Sequence, residues 1–227
     1  MQGRGITMID RIQGPPRWDG PEVLLRQTSF RALAEARVFR EPDGTVAEGS
    51  LRVRFGEVEA RGIALTPAGR ELYDEVVRAA DDAAADRPGN DPVAVAREVW
   101  EKRMPRTEAE LEAAGLGWFT YCLADALPAG PPPRTLRELV AGGWAEARPV
   151  VYEDFLPRSA AGIFASNLSA DGSADGDRGA VRRDAHWLAA AIGRDVLAPE
   201  DLYGRESRAS VAELAGTLGI TLTGPPA

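Results

Sequence analysis

The stretch "RFGEVEARGIALTPAGRELYD", residues 54–74, sets Glu57 and Glu59 two positions apart, with Arg61 two further on. Side chains alternate along a strand, so Leu51, Val53, Phe55, Glu57, Glu59 and Arg61 would share one face. That face starts apolar and ends charged. If its apolar side meets the core, a carboxylate is drawn inward and needs a metal, an arginine or a proton beside it. Arg61 is one such partner. The alternative is that the strand emerges and both acids are solvated, or that Glu59 pairs with Arg61. Two chemistries fit a pair of acids: metal ligation, or paired-acid hydrolysis across roughly 6–7 Å set by strand rise. Acids on one strand point the same way, whereas hydrolysis needs them to flank a bond, which favours the metal. Gly56 leaves room there for a ligand or another backbone.

Other reactive side chains are few. His186 is the single histidine, in the helix-like "AVRRDAHWLAAAIGR", where a surface or capping role is the plainer reading. Zinc and non-haem iron sites draw on two or three histidines, so this chain cannot complete one unaided. No "GxSxG" elbow accompanies His186, which leaves a Ser/His/Asp triad unsupported. Cys122 is the only cysteine and has no charged neighbour in "WFTYCLADAL", so it reads as a packed thiol in a reducing compartment.

Several elements must hold the carboxylate run in place. "EVLLRQTSF" is an apolar strand candidate. Asp43-Gly44 is a turn signal that would set Val38–Arg40 against an antiparallel strand Leu51–Arg61. Thr66-Pro67 and Asp91-Pro92 start helices with proline where a missing N–H costs nothing. Thr107-x-x-Glu110, Thr135-x-x-Glu138 and Ser210-x-x-Glu213 read as capping boxes opening three more. "ARPVVYEDFLP" (147–157) returns to strand character, and the small, acidic "SADGSADGDRG" (169–179) reads as a surface loop.

The 227 residues carry a formal net charge of −8, which argues against nucleic-acid and anionic-membrane partners. There is no signal-like h-region and no apolar run approaching a membrane span, so a cytoplasmic location is expected. Charged and apolar content are those of a globular protein.

Three long segments, "LLRQTSFRALAE", "GSLRVRFGEVEARGIALTPAGRELYD" and "VYEDFLPRSAAGIFASNL", together resemble the 2-oxoadipate dioxygenase/decarboxylase family. The resemblance implies an α+β fold: a vicinal-oxygen-chelate-like curved mixed sheet with inserted helices. It also implies Fe(II) held by two His and one Glu, with open positions for a small 2-oxo dicarboxylic acid and O2. The implied reaction converts 2-oxoadipate to 2-hydroxyglutarate and CO2 in lysine breakdown. Phe55-Gly56-Glu57-Val58-Glu59-Ala60-Arg61 is similar to the Phe-x-Glu-x-x-Gln-Arg pattern of related enzymes, with Ala60 in place of Gln. This nominates Glu57 as metal ligand and Glu59 and Arg61 as residues supporting it. The "FLPxSAAGIF" segment nominates Arg158 and Ser159 for substrate contact, with Arg158 where members commonly carry Val.

By the same resemblance, residues 1–227 are one domain, the C-terminal half of such a fold and so incomplete. The "MQGRGITMID" opening is similar to the end of a helix that follows the second ligand histidine in complete members. Both histidines would then come from a preceding half, on the same chain or a separate one, and this polypeptide alone would be inactive. The competing expectation is a non-catalytic, truncated remnant that serves as a partner or small-molecule binding module.

Overall fold

The computed structural model describes residues 14–29, 33–41, 43–53, 56–153 and 185–224. Six strands and six helices are described: β1 (Leu25–Ser29), β2 (Leu33–Arg40), β3 (Val46–Val53), β4 (Gly56–Arg61), α1 (Pro67–Ala85), α2 (Pro92–Arg103), α3 (Glu108–Ala113), β5 (Phe119–Leu123), α4 (Leu136–Ala141), β6 (Ala145–Pro149), α5 (Ala185–Ile192) and α6 (Pro199–Leu218). This is a mixed α/β architecture whose strands pair two by two, β1 with β4, β2 with β3 and β5 with β6. The chain divides into two compact units. The first comprises Met1–Gly14, Arg26–Ala60 and Phe155–Asp184; the second comprises Pro15–Leu25, Arg61–Asp154 and Ala185–Ala227.

In the first unit, β2 and β3 form an antiparallel hairpin from Leu33↔Val53 to Arg40↔Val46. Its turn follows the Asp43-Gly44 signal: Asp43 Oδ1 accepts from the Thr45 N–H at 2.9 Å and from its hydroxyl at 2.6 Å. These bonds hold the Asp43 carboxyl below its ordinary pKa. Gly44 takes φ 85°, where a side chain would be strained. The continuous strand expected over Leu51–Arg61 is instead two strands. The described hairpin register runs to Leu33↔Val53, and β4 takes β1 as its neighbour. Residues 54 and 55, between β3 and β4, lie outside the described residues.

The second unit holds the core. Residues 62–66 are its centre. Val23 bridges Ile63 in parallel, and Val151 and Gly117 bridge Ile63 and Leu65 in antiparallel fashion. Ala64, fully buried, donates to the Val150 carbonyl at 2.8 Å and accepts from the Trp118 N–H at 2.7 Å. It thus sits where the antiparallel β5/β6 pair opens (Phe119↔Pro149 being its last register pair). Helices close over this frame. Trp100 of α2, 1% exposed, meets Trp18 at 5.9 Å and the edge of Tyr73 of α1 at 5.4 Å. Val76 and Ala80 of α1, Leu111 of α3, Leu139 of α4 and Leu214 of α6 are buried. Full burial of such side chains is worth roughly 1.5–3 kcal/mol each.

The expected helix starts are present. Thr66, Asp91, Thr107 and Thr135 accept from the N–H groups of Gly69, Val93, Glu110 and Glu138. The Ser210 start is a correction. Helix α6 begins at Pro199, with Glu200 and Asp201 in its first turn, and Ser210 lies inside it. Its hydroxyl donates to the Ser207 carbonyl at 2.7 Å and accepts from the Tyr121 N–H at 3.0 Å, so it serves β5 rather than a cap. Among the described residues no helix is long and apolar enough to cross a membrane. The 169–179 segment and residues 154–157 lie outside the described residues.

Candidate functional site

Strand β4 carries Glu57, Glu59 and Arg61, the nominated metal ligand and its supporting residues, within six residues. The side chains of Glu57 and Glu59 lie outside the described residues, as do Arg158 and Ser159 entirely. Arg61, at the strand's end, is exposed. On the neighbouring strand β1, Arg26 is 6% exposed, a buried cation that the sequence pattern did not single out.

The backbone just before β1 and after β4 is tightly constrained. Leu24 has φ 54°, the one non-glycine residue in the left-handed region among those described. Its N–H donates to the Ile63 carbonyl at 2.9 Å and its own carbonyl accepts from the Gly62 N–H at 2.8 Å. A Cβ on Gly62 would overlap the Glu22 carbonyl and the Val23 nitrogen, so only glycine fits. A strained leucine persists only where its surroundings over-determine it, and here two hydrogen bonds and a glycine contact do so.

A second feature lies wholly in the second unit: a cavity of about 590 Å³ lined by Thr66, Glu112, Trp118, Tyr121, Arg137 and Thr223 among others. Its size is that of a small-molecule pocket. The Tyr121 hydroxyl donates to Glu112 Oε1 at 3.0 Å. Burial first, and then the Glu112 charge, push the phenol well above its ordinary range, so it stays protonated and acts as a donor. Arg137 donates to the Ala113 carbonyl at 3.1 Å from the rim. Trp118 Nε1 is buried with no hydrogen-bond partner. No local motif announces this cavity. Its groups come from segments far apart in the chain, so spacing could not have found it.

Among the described residues no three His, Cys, Asp or Glu side chains cluster to hold a metal. His186 is exposed on α5. Cys122 is partly buried, its Sγ lying 3.9 Å from the Glu146 carbonyl. The described donors do not fit a two-His, one-Glu iron site on their own.

Against known proteins, the 2-oxoadipate dioxygenase/decarboxylase family profile matches residues 1–167. A 2-oxoadipate dioxygenase/decarboxylase of Mycobacterium tuberculosis is 50% identical over 203 residues, covering 89% of this chain and 40% of the relative. One of Pseudomonas putida is 37% identical, covering 97% of this chain and 48% of the relative. The crystal structure of the hydroxyglutarate synthase from Pseudomonas putida in complex with 2-oxoadipate superposes with TM-score 0.63 at 31% identity, over 97% of this chain and 47% of that one. The chain thus spans less than half the length of these relatives.

Proposed function

The chain belongs to the 2-oxoadipate dioxygenase/decarboxylase family, and on that premise we propose that it is the C-terminal half, residues 1–227 as one domain, of an Fe(II)-dependent 2-oxo acid dioxygenase. The substrate is 2-oxoadipate, taken with O2 to 2-hydroxyglutarate and CO2 in cytoplasmic lysine catabolism. The sheet completes a vicinal-oxygen-chelate-like curve only with the polypeptide that the relatives carry in addition. The observation that carries this reading is the family match over most of the chain, joined to a structural relative whose crystals contain 2-oxoadipate.

Glu57 is the carboxylate the chain contributes to iron, with Glu59 and Arg61 orienting it, and the two histidines come from the additional polypeptide. Iron, when bound, supplies the Lewis-acid and O2 chemistry of such dioxygenases. Arg158 and Ser159 contact the substrate. A guanidinium fork reads a carboxylate in two places, so Arg158 would favour a dicarboxylate over a monocarboxylate of equal length. The isolated chain has one histidine, and turnover by it alone is not expected.

Oxygen uptake with 2-oxoadipate and Fe(II) tests this. The 227-residue chain should consume none above background, and adding the remaining half of a relative should restore consumption that Glu57→Gln removes. Activity in the chain alone, or survival of Glu57→Gln, overturns the ligand assignment. A second reading, a non-catalytic small-molecule binding module, is favoured by the cavity of the second unit. Binding of 2-oxo dicarboxylates that survives Glu57→Gln but is lost on Arg137→Ala would select it.

A further inference from the structure

The tip of the β2/β3 hairpin is exposed and carries three large apolar side chains, Val38, Phe39 and Val46. From Ala36 to Arg40 and from Asp43 to Gly49, each residue whose burial is described is exposed. The register sets Val38 opposite Glu48 and Arg40 opposite Val46, so the two valines lie diagonally on one face. They are 65% and 59% exposed. On the other face Phe39 stands opposite Ala47, its ring lying over Gly49 where a Cβ would come within 2.9 Å, and it remains 38% exposed. Among the described residues neither strand has a second neighbour. A two-stranded ribbon is marginal in water until a third strand or a packed layer covers it. Each of the relatives above contains more polypeptide outside its match than within it.

We propose that this hairpin is the docking surface for that additional polypeptide, which adds a strand to an open edge of the ribbon and covers the Val38/Val46 face. The proposal rests on the family reading above and names the place of assembly. Arg40 on β2, opposite Val46 on the same face, suits an acidic incoming segment.

The test is backbone amide exchange of the 227-residue chain alone and of the same chain fused to the part of the Mycobacterium relative outside its match. Exchange at residues 36–40 and 46–49 should slow by about tenfold or more in the fusion. Val38→Asp combined with Val46→Asp, both at exposed positions, should abolish that slowing and leave the second unit's amides unchanged. Unaltered exchange at the hairpin in the fusion overturns the proposal. Slowing that grows with concentration in the chain alone assigns the surface to a second copy and overturns it too. Oxygen uptake by the fusion is read separately. Protection without turnover removes the catalytic reading and keeps the surface, whereas turnover without protection does the reverse.

Discussion

In the second unit Trp100 is 1% exposed between two aromatic rings, while in the first unit Val38 is 65% exposed on a hairpin strand. One region is ordered by a shared core in which strands, caps and helices each satisfy one another. In the other, the described residues show the β2/β3 ladder and the Asp43 turn bonds. The nominated ligand Glu57 and its neighbour Glu59 belong to the first unit, and only Arg61, at the boundary, belongs to the second. Stability and the nominated chemistry are therefore carried by different stretches of one chain.

That contrast can be broken by mutation. Trp100→Ala should cost about 3–5 kcal/mol in denaturant unfolding; a loss under about 1 kcal/mol would mean the second unit is not the stabilising region. Ser210→Ala removes the acceptor for the buried Tyr121 N–H and should cost about 1–3 kcal/mol, with faster amide exchange at Tyr121 as the local readout. A smaller effect is expected at alkaline pH. Burial raises the Tyr73 phenol from 10.0 to about 12, with Arg70 opposing the shift. The folded state therefore holds this proton more tightly than the unfolded state. The resulting stability is fully present below pH 10 and is lost as pH rises towards 12, on the order of 1 kcal/mol once partial exposure is allowed for. Tyr73→Phe should flatten that part of the curve. Smallest of all, Val38→Ala should change stability by less than about 0.5 kcal/mol in the isolated chain. A loss above about 1 kcal/mol there would show that the ribbon is already packed and would erase the contrast.

Local signals were legible where one short segment decides the outcome. Thr66-Pro67 and Asp91-Pro92 begin helices because an oxygen acceptor precedes a residue without an N–H, and no distant contact competes. Ser210 shares the capping-box pattern of Thr107 and Thr135 but has a distant competitor, the Tyr121 N–H, and α6 has an earlier start at Pro199. Leu51–Arg61 looks like one strand because alternation is continuous, yet β3 and β4 pair with different strands, a choice that no local pattern encodes. The strand that carries Glu57 was legible; the pairing of that strand with β1, the strained Leu24 and the buried Arg26 were not. Tyr121, Glu112 and Ser210 meet across separations of 9 and 89 residues, beyond the reach of any spacing rule.

The bonds from Leu24 to Gly62 and Ile63 bring the two ends of the Arg26–Ala60 excursion together on the backbone of the second unit. The closure cost of that excursion, which grows only slowly with its length, is thus offset at its base. Such a closure lets the excursion accept insertions, deletions and new side chains while residues 22–24 and 62–63 keep their pairing. It also marks a site for surgery: a short turn joining Leu25 to Arg61 should leave the remainder able to fold.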